Sequence, residues 1–350
     1  VRCALSFYAS SAVAKTGGVH IFVAEDRDAA PYLLNDFYNL LDEKQVYFFP
    51  SSYKRSAAYG AEDAQGVVQR TTAMNAVRGF TKGYLVVCTY PEALAERVVD
   101  AATLQRDTIA VKLGDKISIA VLEDALADAN FTRVDFVYEP GQYSVRGGIV
   151  DVFSYSESKP YRIDFFGDEV DSIRRFNISS QLSADKLDRV EIVPNLNAGE
   201  APRVSFVQFA GSSATCWFYD ADYVLRRVND LRRKVLADME EPGQIDRLLT
   251  SRNVLLRDMA GNSVVALRDN LPERPATAAV VFDTAPQPKF NKNFEMLADD
   301  MIRNSLRGYA TYILSENKVQ VERLENIFHQ IGRGQAAVRS LSVTLHEGFV

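Results

Sequence analysis

Short apolar runs alternate with segments of helical periodicity over the first hundred residues, and this alternation constrains the fold more than any other feature. The runs VHIFVAED (19–26), QVYFFPSS (45–52) and YLVVCTYPEAL (84–94) have the composition of buried strands, and segments with apolar residues at helical spacing separate them. Alternating strands and helices are typical of a parallel sheet that helices cover. The pattern therefore predicts a Rossmann-like α/β domain.

The alternation is interrupted between residues 108 and 194, a segment called the antiparallel module below. A helical pattern around Ser118–Ala129 is followed there by four predicted strands, DFVYEPG, VRGGIVDVFS, PYRIDFFGDE and SIRRFNI, with turn residues between them. After Pro194 the runs VSFVQFA and CWFYDA predict strands again, and a charged helix is predicted over 221–239. This order predicts a small α+β unit inserted into the α/β domain.

The C-terminal part of the chain predicts a further small α/β unit. The stretch 272–290 is predicted to hold a strand and an extended connector, and a helix, strand, helix and strand follow as far as SLSVTLHEGF. The predicted domains are 1a (1–107), 2 (108–194), 1b (195–285), which completes the first α/β domain, and 3 (286–350).

Composition limits the function classes. The net charge is −6 and the pI is about 5.3, whereas a chain that holds nucleic acid by itself would carry a basic excess. No apolar run approaches the ~18 residues of a membrane span, and no signal peptide is predicted. Three cysteines and three histidines lack metal-binding spacing, so we expect no metal, no cofactor and a reducing cytoplasm. The opening VRCALSFYAS lacks an initiator Met and has a helical pattern, so we expect a piece of a longer protein.

The segment ASSAVAKT (9–16) resembles a phosphate-binding loop with alanine at both glycine positions. Such a loop needs glycine and must follow a strand and open a helix. Here Lys15 ends a predicted helix and precedes Gly17 and a strand, so a helix with a glycine cap is predicted instead. The arginine-rich helix over 221–239 is interleaved with acids, which favours a solvated surface with paired charges.

The run YRIDFFGDE (161–169) carries the most informative pattern. As a strand, it places its odd-numbered side chains toward the core. Arg162, Asp164 and Phe166 then lie together on the opposite, solvent-facing side. Arginine and aromatic side chains are enriched at protein-binding hot spots. A phenylalanine on a charged face therefore marks a candidate docking position.

Arg146 lies on the neighbouring predicted strand beside Gly147 and Gly148, where missing side chains would let a partner approach the backbone. Two interpretations remain open. Either these side chains form a docking surface, or Phe166 is covered by the helix of its own module and the arginines are paired with local acids.

The segment EPGQYSVRGGIVDVFSYSESKPYRIDFFGDEVDSIRRFN (139–177) closely resembles the UvrB-like second domain of the transcription-repair coupling factor family (Mfd). The flanks are similar more loosely: FFPSSYKR and VVCTYPEALAERV resemble the first domain of that family, and APQPKFNKNFEML and HEGFV resemble the third. The resemblance implies the N-terminal UvrB-homology region of a large bacterial ATPase that removes stalled RNA polymerase from damaged DNA and recruits nucleotide excision repair.

The resemblance also implies a role and a partner. It implies a non-catalytic, monomeric platform without catalytic residues, because the two motor domains belong to other parts of the family's protein. Contact with RNA polymerase and DNA likewise belongs to other domains. In this family the second domain binds UvrA, and the C-terminal domain of the full-length protein masks that surface. The matching positions are Arg146, Arg162 and Phe166, with Gly147, Gly148 and Asp164 in support.

Two alternatives remain. An ATP-dependent half of a nucleic-acid motor would bind nucleotide, which a nucleotide-binding assay would detect. A UvrB-like DNA-binding module would need a basic groove and an aromatic-rich hairpin, and we recognise no such insertion between Tyr53 and Gly79.

Overall fold

The computed structural model describes residues 2–53, 62–197, 201–239, 241–267, 271 and 273–350. The described residues form two compact units. The terminal unit comprises residues 2–16, 31–46 and 276–350, and the central unit comprises the described residues of 17–30 and 47–275. The motif FFPSSYKR and the region where a hairpin insertion was not expected extend into residues 54–61, which lie outside the described residues.

The helices of the described residues are α1 (Arg2–Thr16), α2 (Ala30–Leu40), α3 (Ala64–Gly79), α4 (Pro91–Ala95), α5 (Ala101–Asp107), α6 (Ile119–Asp128), α7 (Phe206–Ala210), α8 (Ala221–Asp238), α9 (Ile245–Leu248), α10 (Arg252–Asp258), α11 (Phe294–Leu306) and α12 (Lys318–Gln330). The strands are β1 (Gly18–Val23), β2 (Val46–Phe48), β3 (Tyr84–Thr89), β4 (Val98–Val99), β5 (Ile109–Lys112), β6 (Thr132–Arg133), β7 (Gln142–Arg146), β8 (Ile149–Val152), β9 (Tyr161–Phe166), β10 (Glu169–Phe176), β11 (Ser183–Leu187), β12 (Arg189–Ile192), β13 (Arg203–Val204), β14 (Thr215–Phe218), β15 (Ser263–Ala266), β16 (Tyr312–Leu314) and β17 (Arg339–Leu341).

A five-stranded sheet in the order β15-β14-β1-β3-β2 forms one part of the described fold. The pairs β1–β3, β1–β14 and β14–β15 are parallel. Strands β1 and β3 are buried along almost their whole length, as expected for parallel strands that are covered on both faces. The predicted mixed α/β class is confirmed. Because β14 pairs directly with β1, strands from both sides of the antiparallel module lie in the same sheet.

The antiparallel module contains a six-stranded sheet in the order β11-β10-β9-β8-β7-β6. Its pairs from β7 to β11 are antiparallel, and β6 pairs with β7 in parallel. Ser118 caps α6 by accepting a hydrogen bond from the Val121 N–H, and Leu122 and Leu126 of this helix pack into the core of the module.

Two strands predicted inside the module are wrong. The stretch DFVYEPG lies in a loop. The Gln142 side chain accepts hydrogen bonds from the N–H groups of Tyr138 and Glu139, so these groups are not available to a neighbouring strand. The stretch VRGGIVDVFS is a hairpin of β7 and β8, since Gly147 takes a φ of 59° in the two-residue turn.

The strand predicted over VSFVQFA is also wrong, because most of this run forms α7. Ser205 caps the helix by accepting a hydrogen bond from the Gln208 N–H, and Phe206 is fully buried against Phe49 at a ring-centroid distance of 3.8 Å. The cap and one buried ring therefore outweigh the strand propensity of a short apolar run. The charged helix predicted next is confirmed as α8.

In the terminal unit, the predicted order of helix, strand, helix and strand is confirmed as α11, β16, α12 and β17, and the two strands pair in parallel. The last strand is shorter than predicted, as only residues 339–341 pair. The described residues of 272–290 contain no strand, only isolated bridges such as Pro286 with Phe349, and Val281 is 91% exposed.

Candidate functional site

Strand β9 divides its side chains between two environments. Tyr161 and Ile163 are buried in the core of the module, whereas Arg162 and Asp164 are partly exposed and Phe166 is 83% exposed. The alternation predicted from the sequence is therefore confirmed. We call the solvent-facing side of β7 to β10 the polar face.

Phe166 stands at the end of its strand, where the chain turns. It pairs with Glu169 across a two-residue turn in which Gly167 has a φ of 62°. The exposed fraction of the ring shows that the module does not bury it, so the alternative that its own helix covers Phe166 is wrong. The neighbouring hairpin lies close by, since the Phe165 N–H donates to the Gly148 carbonyl at 2.8 Å.

The two arginines of the polar face share a single carboxylate, that of Asp151. Arg162 Nε donates to Asp151 Oδ1 at 2.7 Å and Arg162 Nη2 donates to Asp151 Oδ2 at 2.8 Å. Arg146 Nη2 donates to the same Oδ2 at 2.5 Å. Asp151 is only 1% exposed. The alternative that the arginines are paired locally is thus correct, even though the ring of Phe166 is free.

Aromatic rings support both guanidinium groups. The Arg162 guanidinium carbon lies 4.4 Å from the Phe176 ring centroid, and that of Arg146 lies 4.8 Å from the Phe136 ring centroid. Hydrogen bonding to Asp151 raises the pKa of the Arg162 guanidinium above its ordinary value, while burial acts in the opposite direction. Arg162 therefore carries its charge at neutral pH.

Gly147 and Gly148 support the polar face in a different way from the one predicted. They do not leave a flat strip of strand bare, because they form the turn between β7 and β8. A Cβ atom on Gly148 would lie 3.0 Å from the Phe165 carbonyl oxygen, which is tighter than ordinary contacts. Gly148 thus permits the close approach of the hairpin to β9.

Asp164, named above only as a supporting residue, forms no hydrogen bond to Arg146 or Arg162 in the described residues. Its carboxylate accepts hydrogen bonds from Ser172 and Arg174 on β10. The strand register explains the choice, since Asp164 lies directly opposite Ser172. Asp164 therefore balances the charge of Arg174 and leaves Arg146 and Arg162 to Asp151.

Sequence reasoning missed Asp151 and Phe136. Asp151 alternates with the buried Val150 and Val152, which already places its carboxylate on the polar face. Its register partners Ser144 and Arg162 become visible only when the double glycine is interpreted as a turn. No sequence signal pairs Phe136 with Arg146, because Phe136 lies in a loop whose path the strand pattern does not define.

The segment over residues 9–16 and the helix over 221–239 have the structures predicted for them. Lys15 lies in the last turn of α1 and Gly17 follows with a φ of 62°, so the segment over residues 9–16 does not open a helix after a strand. On α8, Arg226 pairs with Asp222 and Arg233 pairs with Asp230, as a solvated helix would show. Among the described residues, no helix has the length and apolar character needed to cross a membrane. In the same part of the chain, no three His, Cys, Asp or Glu side chains are grouped as metal ligands would be.

The antiparallel module matches a known protein family. Residues 109–197 match the model of the UvrB interaction domain. Curated relatives with the name transcription-repair-coupling factor include those of three bacteria. That of Bacillus subtilis is 27% identical over 192 residues, which cover 55% of this chain and 16% of the relative. That of Haemophilus influenzae is 35% identical over 101 residues, 29% of this chain and 9% of the relative, and that of Escherichia coli is 34% identical over 113 residues, 32% and 10%.

The similar segments thus span between 9% and 16% of the length of these relatives. The module that carries the polar face is the part of the chain that the family model matches. The resemblance inferred from the sequence is confirmed: residues 109–197 match the UvrB interaction domain, and the chain is similar to proteins named transcription-repair-coupling factor.

Proposed function

We propose that this chain is the N-terminal UvrB-like region of a transcription-repair coupling factor and that it binds UvrA through its polar face. Arg146, Arg162 and Phe166 form the docking surface. The observation that carries the proposal is the 83% exposure of Phe166 at the end of β9, within a domain that matches the UvrB interaction domain.

Burial of this exposed ring by a partner would contribute favourable free energy to binding. Burying a phenylalanine side chain contributes about 1.5–3 kcal/mol, and aromatic and arginine side chains dominate hot spots. Arg146 and Arg162 share one acid, so the docking surface has one positive charge in excess. A partner that offers an apolar pocket beside a carboxylate would satisfy both features.

The proposal includes the role of the whole chain. It is a non-catalytic, monomeric, cytoplasmic platform that recruits nucleotide excision repair to stalled RNA polymerase, while contact with RNA polymerase and DNA belongs to other parts of the family's protein. In the full-length protein the C-terminal domain covers the docking surface. The position of Lys15 at the end of α1, rather than in a glycine loop, supports the absence of nucleotide hydrolysis by this chain.

The proposed domains remain 1a (1–107), 2 (108–194), 1b (195–285) and 3 (286–350). The parallel pairing of β14 with β1 supports a Rossmann-like domain that the antiparallel module interrupts, because one sheet contains strands from both sides of the insertion. The separate pairing of β16 with β17 supports a small α/β domain at the C-terminal end.

Titration of the 350-residue chain with its cognate UvrA tests the function. We expect Phe166→Ala and Arg162→Ala each to weaken binding by about 2 kcal/mol, or roughly 30-fold in Kd. Tyr309→Ala is the matched control, since Tyr309 is an aromatic residue of the terminal unit that is 60% exposed, and it should leave Kd unchanged. Unaltered affinity in a folded Phe166→Ala variant would refute the proposal.

A further inference from the structure

We propose that Asp151 is the positioning residue of the docking surface. Its buried carboxylate fixes Arg146 and Arg162 in one arrangement before a partner arrives. The inference rests on the proposed UvrA function and deepens it, because it specifies what the partner must present: one carboxylate beside a pocket for Phe166.

The position of Asp151 suits this role. It lies on the middle strand β8, and its register partners are Ser144 on β7 and Arg162 on β9. Both carboxylate oxygens are used, Oδ1 by Arg162 and Oδ2 by Arg162 and Arg146. A carboxylate held in the sheet by backbone pairing on both sides has little freedom to move, so the arginines inherit its position.

The second contact of each arginine fixes its orientation. Arg146 lies over Phe136 and donates from Nη1 to the Asp135 carbonyl at 3.1 Å. Arg162 lies over Phe176. An arginine side chain that is mobile before binding loses much rotamer freedom when a partner binds. A side chain that is already fixed avoids most of that loss.

The two arginines are not equivalent toward a partner. The side chain of Arg146 is 36% exposed and that of Arg162 is 15% exposed. Within the described residues, Arg146 hydrogen-bonds only through its terminal nitrogens, each to one acceptor, which leaves three of its N–H groups for a partner. Arg162 uses Nε and both terminal nitrogens on Asp151 and Gln181. Arg146 therefore makes the direct contact with a partner carboxylate, and Asp151 and Arg162 hold it in place.

A double-mutant cycle on the full 350-residue chain tests this role. Asp151→Asn removes the charge and retains one acceptor oxygen, and we expect it to raise the Kd for UvrA by about tenfold. In an Arg146→Ala background, the same change should cost about twofold or less, because the arginine that makes the direct contact is gone. A purely structural role would give equal losses in both backgrounds. Urea unfolding, followed by Trp217 fluorescence and by circular dichroism, checks that each variant is folded.

Asp151→Glu provides a second variant, which keeps the charge and shifts the carboxylate by one methylene. If Asp151→Asn does not fold, the same cycle with Asp151→Glu decides, with an expected loss of about fivefold that Arg146→Ala abolishes. Equal losses in the two backgrounds, or no loss in either folded Asp151 variant, would overturn the positioning role. The proposed function fails separately, if the unmodified chain does not bind UvrA or if Phe166→Ala binds normally.

Discussion

Two arginine–carboxylate clusters of the central unit are built from the same parts and differ in the charge and exposure that remain for a partner. In the first, the Arg70 guanidinium lies 3.9 Å from the Phe49 ring centroid. Arg70 Nη1 donates to the carbonyls of Pro50 and Ala93 at 2.9 and 3.0 Å, and Nη2 donates to the Glu96 carbonyl at 2.8 Å. This cluster is called the closed cluster below.

The Glu96 carboxylate completes the closed cluster. It accepts hydrogen bonds from the Ser51 hydroxyl and from the N–H and hydroxyl of Ser52, and it lies 3.6 Å from Arg70 Nη1. Both charged side chains are 4% exposed. Burial lowers the pKa of the Arg70 guanidinium, and the charge of Glu96 partly offsets this effect. One cation is matched by one anion, and both are buried, so this cluster leaves nothing for a partner.

The docking surface has the same ring-stacked arginine, but two cations share one anion. The more exposed cation, Arg146, keeps N–H groups that have no acceptor in the described residues. The comparison teaches that a surplus cation and its exposure to solvent distinguish a docking cluster from a structural one, rather than the presence of an ion pair.

Removing the anion of the closed cluster should have the largest effect on stability. Glu96→Gln leaves the Arg70 charge buried and unpaired, and we expect the free energy of unfolding to fall by about 3–5 kcal/mol. Urea unfolding of the full chain measures the loss. Asp230→Asn is the matched control, because it removes the carboxylate of an exposed pair with Arg233 and should change stability little. Similar stability losses in these two variants would show that the Arg70 cluster is not closed.

The docking surface was easier to predict from the sequence than the closed cluster. A period of two along β9 was enough to place Phe166 on the face opposite the core, because alternation needs no knowledge of neighbouring strands. The shared use of Asp151 depends on the register of three strands. That register cannot be assigned from the sequence until the turn at Gly147 is recognised. The closed cluster combines residues from α3, the end of β2 and the end of α4, and no local pattern links them.

The same distinction applies to α7. The run over 204–210 was predicted as a strand because its apolar residues have strand propensity, and the capping contact of Ser205 is equally local. The sequence contained both signals, and the cap decided between them. Propensity over a five-residue run is a weak guide when a cap competes with it.

A buried histidine of the parallel sheet should make stability, rather than docking, sensitive to acid. Trp217 Nε1 donates to His20 Nδ1 at 3.0 Å, so the His20 ring proton lies on Nε2, which donates to the Gly17 carbonyl at 2.8 Å. Burial lowers the pKa of His20 below its ordinary value of 6.5, and the bond to Gly17 partly opposes this. The unfolded chain therefore takes up a proton at a higher pH than the folded chain.

The sign follows from this difference. The stability contributed by neutral His20 is complete above about pH 6.5 and is lost as the pH falls below it toward the lower folded pKa. Urea unfolding at several pH values, followed by the single tryptophan, Trp217, should show stability falling with acid. His20→Gln, which has no titrating group, should show a weaker dependence. The same pH slope in both proteins would contradict the assignment, and the docking surface contributes no histidine of its own, since none occurs in residues 108–194.

Ionic strength should change the affinity of the docking surface for UvrA, and this is the smallest effect that we predict. Arg146 and Arg162 share the single charge of Asp151, so the exposed Arg146 attracts an acidic partner through solvent, and salt screens such interactions. Raising NaCl from about 50 to about 300 mM should therefore weaken UvrA binding by about three- to fivefold, and Arg146→Ala should reduce that salt dependence. Arg233→Ala removes an exposed arginine of α8 that is paired with Asp230, so it should leave the salt dependence of binding unchanged. If Arg146→Ala and Arg233→Ala alter it equally, the attraction comes from the net charge of the chain, and the surplus cation on the polar face has no special role in guiding the partner.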